Sequence, residues 1–150
     1  MIFLLNLHLI ISLKKDLISL LAIIKTGASY VPIGHDLPED RIKYIKQNAN
    51  INCVITEEKF AGVARNNFEE TIVFEDLALA ENSKLIEADV GLLASCSEKI
   101  QNDSRLYSIY TSGSTGLPKG AQVSHGGELN LLKWYESTLA LNDHDKTIII

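Results

Sequence analysis

The stretch of this 150-residue chain that decides its fold lies at residues 110–120 and reads "YTSGSTGLPKG". Apolar residues flank it on both sides, and we predict a strand over 106–111 and a second, brief strand over 121–124. Glycines allow successive backbone N–H groups to turn toward one concave surface, and such surfaces bind anions. The pattern therefore predicts a short loop anchored between two strands and suited to phosphate.

The side chains of this loop agree with phosphate binding. Hydroxyl donors stand at Thr111, Ser112, Ser114 and Thr115, and Lys119 supplies a compact positive charge. The loop of nucleoside triphosphatases, G-x-x-x-x-G-K-[ST], does not fit, because proline at 118 and glycine at 120 stand where that pattern needs glycine and serine or threonine. A solvated, flexible linker remains the alternative.

The rest of the chain alternates between strand-like and helix-like segments. Alternation of this kind indicates an α/β fold with a largely parallel sheet. Strands are predicted over 3–12, 30–33, 52–56, 71–74 and 146–150, and helices over 16–26, from Asp36 onward, over 57–65 and after Ser124, with 76–97 as loop and short helical pieces. Asp36 and Glu39 have the spacing of a capping box. Pro32 argues against a central position for its strand, and Gly27 fits the end of the first helix.

Composition and charge exclude several classes of protein. The net charge is −5, with 46% hydrophobic and 22% charged residues, which is typical of one soluble domain and gives no electrostatic footprint for nucleic acid. Cys53 and Cys96 lack CxxC spacing and predict reduced thiols without a metal. The apolar start at 1–15 has no preceding positive charge and is too short to span a bilayer. We therefore expect a buried strand there, with a secretion signal as the alternative, and a cytoplasmic protein with no membrane partner.

Three segments together resemble one family. "YTSGSTGLPKG" resembles the phosphate-loop signature of the AMP-forming adenylate-forming (AMP-binding) superfamily. "LLAIIKTGASYVPIGHDLPEDRIKYI" at 20–45 and "HGGELNLLKW" at 125–134 are similar to segments of the adenylation domains of nonribosomal peptide synthetases. These two favour the peptide-synthetase branch over fatty acyl ligases. Gly34, His35 and Asp40 depart from the family pattern, in a segment where we expect altered turn geometry more than altered chemistry.

The resemblance implies a fold and a reaction. It implies a partial, largely parallel sheet flanked by helices, within the large N-terminal domain of an adenylate-forming enzyme. Residues 1–150 would be an incomplete AMP-binding domain, truncated after the phosphate loop and the following helix. The activity implied is ATP-dependent activation of a carboxylate, here an amino acid, to acyl-AMP and pyrophosphate, with Mg²⁺ and a phosphopantetheine carrier domain elsewhere. The loop would bind the β- and γ-phosphates through Thr111, Ser112, Gly113, Ser114, Thr115, Gly116 and Lys119.

Several readings of function stay open. The substrate-pocket segments and the catalytic lysine of the family do not occur before Ile150, so we predict no catalytic residue and no metal ligand in this chain and expect it to be inactive alone. A truncated non-catalytic remnant, a nucleotide-binding or interaction module, and a fragment of an acyl-CoA synthetase are the alternatives. For His125 we expect a capping or packing role, and for His35 we expect no acid–base role.

Overall fold

A computed structural model describes residues 5–8, 13–79, 95–96, 98–112 and 116–140. Strands and helices alternate as predicted. The elements are β1 (Leu5–His8), α1 (Leu13–Lys25), β2 (Pro32–Gly34), α2 (Glu39–Ala49), β3 (Cys53–Thr56), a 3₁₀ turn (Glu58–Phe60), α3 (Ala61–Asn67), β4 (Glu70–Val73), α4 (Phe74–Leu79), β5 (Arg105–Thr111), β6 (Lys119–Ser124) and α5 (His125–Leu139). The strand predicted at 146–150 and most of the loop predicted at 76–97 lie outside the described residues.

The first four strands form a parallel sheet in the order β2–β1–β3–β4. Leu7 pairs with Ile33, and Ile55 pairs with Ile72, so the strands run in register from edge to edge. Pro32 begins β2, which is an edge strand of this sheet, and this agrees with the missing N–H of proline. The prediction of a largely parallel α/β sheet is confirmed.

The core lies between this sheet and helices α2 and α3. Ile42, Ile45 and Ala49 recur at helical spacing on α2, and all three are buried, as the sequence predicts. Together with residues of β2, β3, α3 and the connecting segments they form one apolar cluster, which comprises Val31, Ile33, Ile42, Ile45, Ala49, Ile51, Val54, Ala64 and Phe68. Burial of each large apolar side chain in this cluster stabilises the fold by about 1.5–3 kcal/mol.

The sequence predicts the end of α1 correctly and the start of α2 wrongly. Gly27 follows α1 with φ of 75°, a left-handed conformation that glycine adopts without strain, and this confirms its predicted place. The prediction of a capping box at Asp36 and Glu39 is wrong. Pro38 occupies the N-cap of α2 with φ of −54° and ψ of 144°, and no side chain caps the helix. Helix α2 begins at Glu39, so Asp36 lies in the preceding turn, outside the capping position.

Strands β5 and β6 form a separate antiparallel pair. The pair joins the rest of the fold beside β2, where the N–H of Tyr30 donates to the carbonyl of Leu106 (3.1 Å) and the N–H of Ser108 donates to the carbonyl of Tyr30 (3.0 Å). The rings of Tyr30 and Tyr107 stack with their centroids 5.3 Å apart. These contacts fix the hairpin, and with it the predicted phosphate loop, to the first half of the chain.

Helix α5 starts after Ser124, as predicted, and buries no residue among those that the structure describes. Ser124 is its N-cap, and the Ser124 hydroxyl accepts a hydrogen bond from the N–H of Gly127 (3.2 Å). The apolar residues of α5 do not form a buried face within the described structure, and the helix has no buried residue. The exposed ones are Leu129, Leu131, Leu132, Trp134, Tyr135 and Leu139.

Candidate phosphate-binding site

The predicted phosphate loop closes the β5–β6 hairpin. Strand β5 ends at Thr111 and strand β6 begins at Lys119, and these two residues are direct cross-strand partners. Side chains that face each other across an antiparallel pair project from the same face of the sheet, with Cβ atoms about 4.5–5.5 Å apart. The hairpin register therefore places the side chains of Thr111 and Lys119 on one face of the hairpin at the mouth of the loop.

The described loop residues are open to solvent where a ligand would need them. Thr111, Ser112, Gly116 and Lys119 are exposed, whereas Pro118 is buried and anchors the approach to the lysine. Gly116 has φ of 84°, a left-handed conformation that side-chain-bearing residues rarely adopt. The structure thus brings these four predicted residues to one end of the hairpin. Gly113, Ser114 and Thr115 lie outside the described residues.

The charge of Lys119 is not neutralised by any residue that the structure describes. Within the described part of the chain, no carboxylate forms an ion pair with the Lys119 ammonium. The described loop residues also include no aspartate or glutamate. An exposed ammonium beside hydroxyl groups is a suitable partner for phosphate oxygens. No group of three His, Cys, Asp or Glu side chains that could hold a metal ion occurs in the described ranges.

The start of helix α5 offers little to a phosphate, although helix N-termini often bind anions. The N–H of His125 donates to the carbonyl of Ser104 (2.9 Å), and the N–H of Gly126 donates to the carbonyl of Asn102 (2.8 Å). The N–H of Gly127 is taken by the Ser124 cap. Because the first amides of α5 are already hydrogen-bonded within the protein, the start of this helix is a poor candidate for a phosphate site.

Neither His35 nor His125 has a described hydrogen bond or ring contact with a residue of the loop. His35 packs its ring against Phe60, with centroids 5.5 Å apart, at a groove of about 250 Å³ that α2 and α3 also line. His125 is half-buried, and its Nε2 is enclosed with no hydrogen-bond partner among the described residues. Neither side chain has a described acid–base partner, and we assign neither a chemical role.

Both cysteines are free thiols. Cys53 is buried in β3, and this burial, followed by the nearby charge of Glu70, raises the pKa of its thiol. A raised pKa lowers the reactivity of a thiol, because the thiolate is the nucleophile. Cys53 is therefore a packing residue.

One contact at the base of the loop is not predicted from the sequence. Tyr110 and Gly120 face each other across the hairpin, and the Tyr110 hydroxyl reaches Asn48 at the end of α2. The only sequence signal is that Tyr110 and Gly120 are equally far from Thr115, so that a hairpin centred there would pair them. Composition does not show that the two flanking strands pair with each other.

Among the described residues, no helix combines the length and the apolar character needed to cross a membrane.

A comparison with known families shows to which family the chain belongs. A profile of the AMP-binding enzyme family matches residues 16–150. The chain belongs to this family. The match covers the loop, the segment at 20–45 and the start of α5, and it confirms the resemblance inferred from these segments.

The sequence relatives of this AMP-binding chain include peptide synthetases. It is 41% identical over 118 residues to a mycosubtilin synthase component of Bacillus subtilis, covering 78% of this chain and 4% of that protein. It is 30% identical over 133 residues to a dimodular nonribosomal peptide synthase of Bacillus subtilis (strain 168), covering 88% of this chain and 5% of that protein. The chain spans 2–12% of the length of such relatives.

Solved structures share the fold. The fatty acyl-adenylate ligase from L. pneumophila, determined with acyl adenylate and pyrophosphate, matches with a TM-score of 0.68 at 24% identity, covering 95% of this chain and 24% of that one. This likeness confirms the expected fold class: a partial α/β sheet flanked by helices, as in the N-terminal domain of adenylate-forming enzymes.

Proposed function

We propose that this AMP-binding chain is part of an ATP-dependent ligase that adenylates an amino acid, and that the loop at 111–120 binds the β- and γ-phosphates of ATP. The observation that carries the proposal is the register of the hairpin. It pairs Thr111 with Lys119 at the mouth of a glycine-containing loop, where both side chains are exposed. A hydroxyl donor and a lysine without an ion pair among the described residues start from one face of the hairpin, and both suit the neighbouring phosphates of a pyrophosphate group.

The proposed reaction follows from this arrangement. A carboxylate oxygen of the substrate attacks the α-phosphorus of ATP, the bond from that phosphorus to the bridging oxygen breaks, and pyrophosphate leaves. Negative charge develops on the leaving group, and the Lys119 ammonium with the hydroxyls of Thr111 and Ser112 stabilises it there. Groups held in place before the reaction stabilise such charge more than mobile water does. The loop also fixes the direction in which pyrophosphate departs.

Magnesium fits this site only through the nucleotide. Mg²⁺ prefers oxygen ligands, usually one or two carboxylates together with substrate phosphates. The described loop residues include no carboxylate. We therefore propose no Mg²⁺ ligand from the described residues, and the ion would be held here by the phosphates of ATP. It would neutralise charge on those phosphates alongside Lys119.

The relatives support an amino acid as the substrate. One of these relatives, the dimodular nonribosomal peptide synthase, is named for peptide synthesis. By analogy, we propose that the activated amino acid passes to a phosphopantetheine carrier domain, and that the reaction takes place in the cytoplasm, where ATP is available. ATP–pyrophosphate exchange by a ligase that contains this chain, measured with amino acids and with fatty acids, would distinguish this class from the acyl-CoA synthetases.

The phosphate selectivity of the chain tests the proposal. In calorimetric titrations we expect ATP and pyrophosphate to bind and to compete with each other, because both present two linked phosphates to the loop. AMP, which lacks the β- and γ-phosphates, should not displace pyrophosphate at the same concentration. AMP that displaces pyrophosphate as well as ATP does, or an absence of binding by both ATP and pyrophosphate, would contradict the proposed role of the loop.

A further inference from the structure

The side chain of Tyr110 connects the base of the loop to the core. Its ring packs against the apolar cluster between the parallel sheet and α2. Its hydroxyl donates a hydrogen bond to the side-chain oxygen of Asn48, near the end of α2, at 2.6 Å. Burial raises the pKa of Tyr110, so the hydroxyl remains protonated and able to donate at neutral pH. One residue thus touches the hydrophobic core and the end of a helix.

Gly120 lies opposite Tyr110 and leaves room for its ring. A Cβ atom at Gly120 would lie 2.8 Å from Cζ of Tyr110 and 3.1 Å from its Cε2 and its hydroxyl oxygen. Real Cβ atoms essentially never make contacts below 3.0 Å, so the ring would have to move. Among the described glycines, positive φ is confined to Gly27 and Gly116, so the need for glycine at 120 comes from space and not from backbone angles.

This contact lies one residue from the proposed ligands on both strands. Thr111 follows Tyr110, and Lys119 precedes Gly120. A ring that is held by the core and by Asn48, and that lies over Gly120, therefore fixes the place at which both strands enter the loop. Misplacement of binding groups by a fraction of an ångström lowers affinity, because the ligand then pays for their ordering.

We propose that Tyr110, held by Asn48 and seated over Gly120, is a positioning residue that sets the spacing of Thr111 and Lys119 for a pyrophosphate group. The proposal rests on the proposed function of the loop, since it concerns how that loop is held. Tyr110 itself does not touch the ligand in this proposal. It acts through the two strand ends that it holds in place.

The test compares pyrophosphate affinity among matched variants of the 150-residue chain, at a temperature well below their unfolding midpoints. Tyr110→Phe removes only the hydroxyl, and Asn48→Ala removes only its acceptor; each should weaken pyrophosphate binding roughly 3- to 10-fold. Asn48→Asp restores an acceptor oxygen and should recover most of that loss. Gly120→Ala should weaken binding more in the wild-type background than in a Tyr110→Ala background, because the two residues are in contact.

Tyr107→Phe is the matched control. Tyr107 lies on the same strand, faces away from Tyr110, and its hydroxyl donates weakly to Glu128 at 3.4 Å. It should lower stability without changing pyrophosphate affinity, which separates positioning from general destabilisation. If Gly120→Ala does not fold, the Tyr110→Phe and Asn48 variants still decide the question.

Three negative outcomes can be told apart. If the wild-type chain binds pyrophosphate and Tyr110→Phe, Asn48→Ala and Gly120→Ala all bind equally well, the positioning role is wrong and the loop proposal stands. If Tyr107→Phe loses as much affinity as Tyr110→Phe, the effect is structural and the positioning role is again wrong. If the wild-type chain does not bind pyrophosphate, the proposed function fails and the positioning role fails with it.

Discussion

Replacement of Lys119 by alanine is expected to weaken pyrophosphate binding by roughly 10- to 100-fold. A hydrogen bond to a charged group is worth about 1.5–3 kcal/mol, and each 1.4 kcal/mol corresponds to a factor of about ten in affinity. Lys119 is exposed and forms no ion pair among the described residues, so its charge is available to a ligand. Calorimetric titration of the wild-type chain and the Lys119→Ala variant measures the change.

Lys133→Ala is the matched control for this variant. Lys133 is an exposed lysine on α5, so its replacement removes the same charge from the chain at a different place. It should leave pyrophosphate affinity almost unchanged. Equal losses from the two variants would show that the chain attracts pyrophosphate through its overall charge, and the specific role of Lys119 would then be wrong.

The replacement of Ile45 by alanine is expected to have the largest effect on stability. Ile45 is 2% exposed and lies on the face of α2 that packs in the core. Replacing a fully buried isoleucine by alanine removes its burial and leaves a cavity, which together cost about 2–5 kcal/mol. Urea denaturation followed by circular dichroism would show this as a lower unfolding midpoint.

Ile18→Ala provides the same chemical change at an exposed position. Ile18 lies on α1 and is 46% exposed, so its replacement should change the free energy of unfolding by less than about 1 kcal/mol. If the two variants were equally destabilised, or if neither were, the packing of α2 against the parallel sheet would be contradicted.

The sequence predicts those parts of the fold that local chemistry controls. The helical spacing of Ile42, Ile45 and Ala49 determines which face of α2 is buried, because that face alone is apolar. Pro32 cannot donate a ladder hydrogen bond, and it lies on an edge strand. Gly27 provides a left-handed residue at the end of α1.

Other features depend on competition between signals or on distant contacts. At the start of α2, Asp36 and Glu39 predict a helix with Pro38 in its first turn, but a proline disfavours the helical conformation in the residue before it, and the helix begins at Glu39. The contact of Tyr110 with Asn48 depends on tertiary structure, because the two residues are 62 positions apart in the sequence. The pairing of β5 with β6 depends on contacts between the two strands. Periodicity within a short window contains no information on either.

The candidate site, like the fold, is predicted from the sequence only in part. The glycine, hydroxyl and lysine pattern is sufficient to predict a phosphate loop and to relate it to the AMP-binding family, and the profile match over 16–150 confirms that family. The pattern does not show that Thr111 and Lys119 stand opposite each other, since this follows from the hairpin register. Their roles as phosphate ligands, together with those of Gly113, Ser114 and Thr115, stay predictions.

The most direct test of the loop proposal is a titration of the ¹⁵N-labelled chain with pyrophosphate, followed by the amide resonances in ¹H–¹⁵N NMR spectra. We expect saturable shifts that are largest between Thr111 and Gly120, with little change in α2 or in the first amides of α5, which are already hydrogen-bonded. Shifts centred at the start of α5 or elsewhere, with the loop unaffected, would contradict the assignment of this loop as the pyrophosphate-binding site.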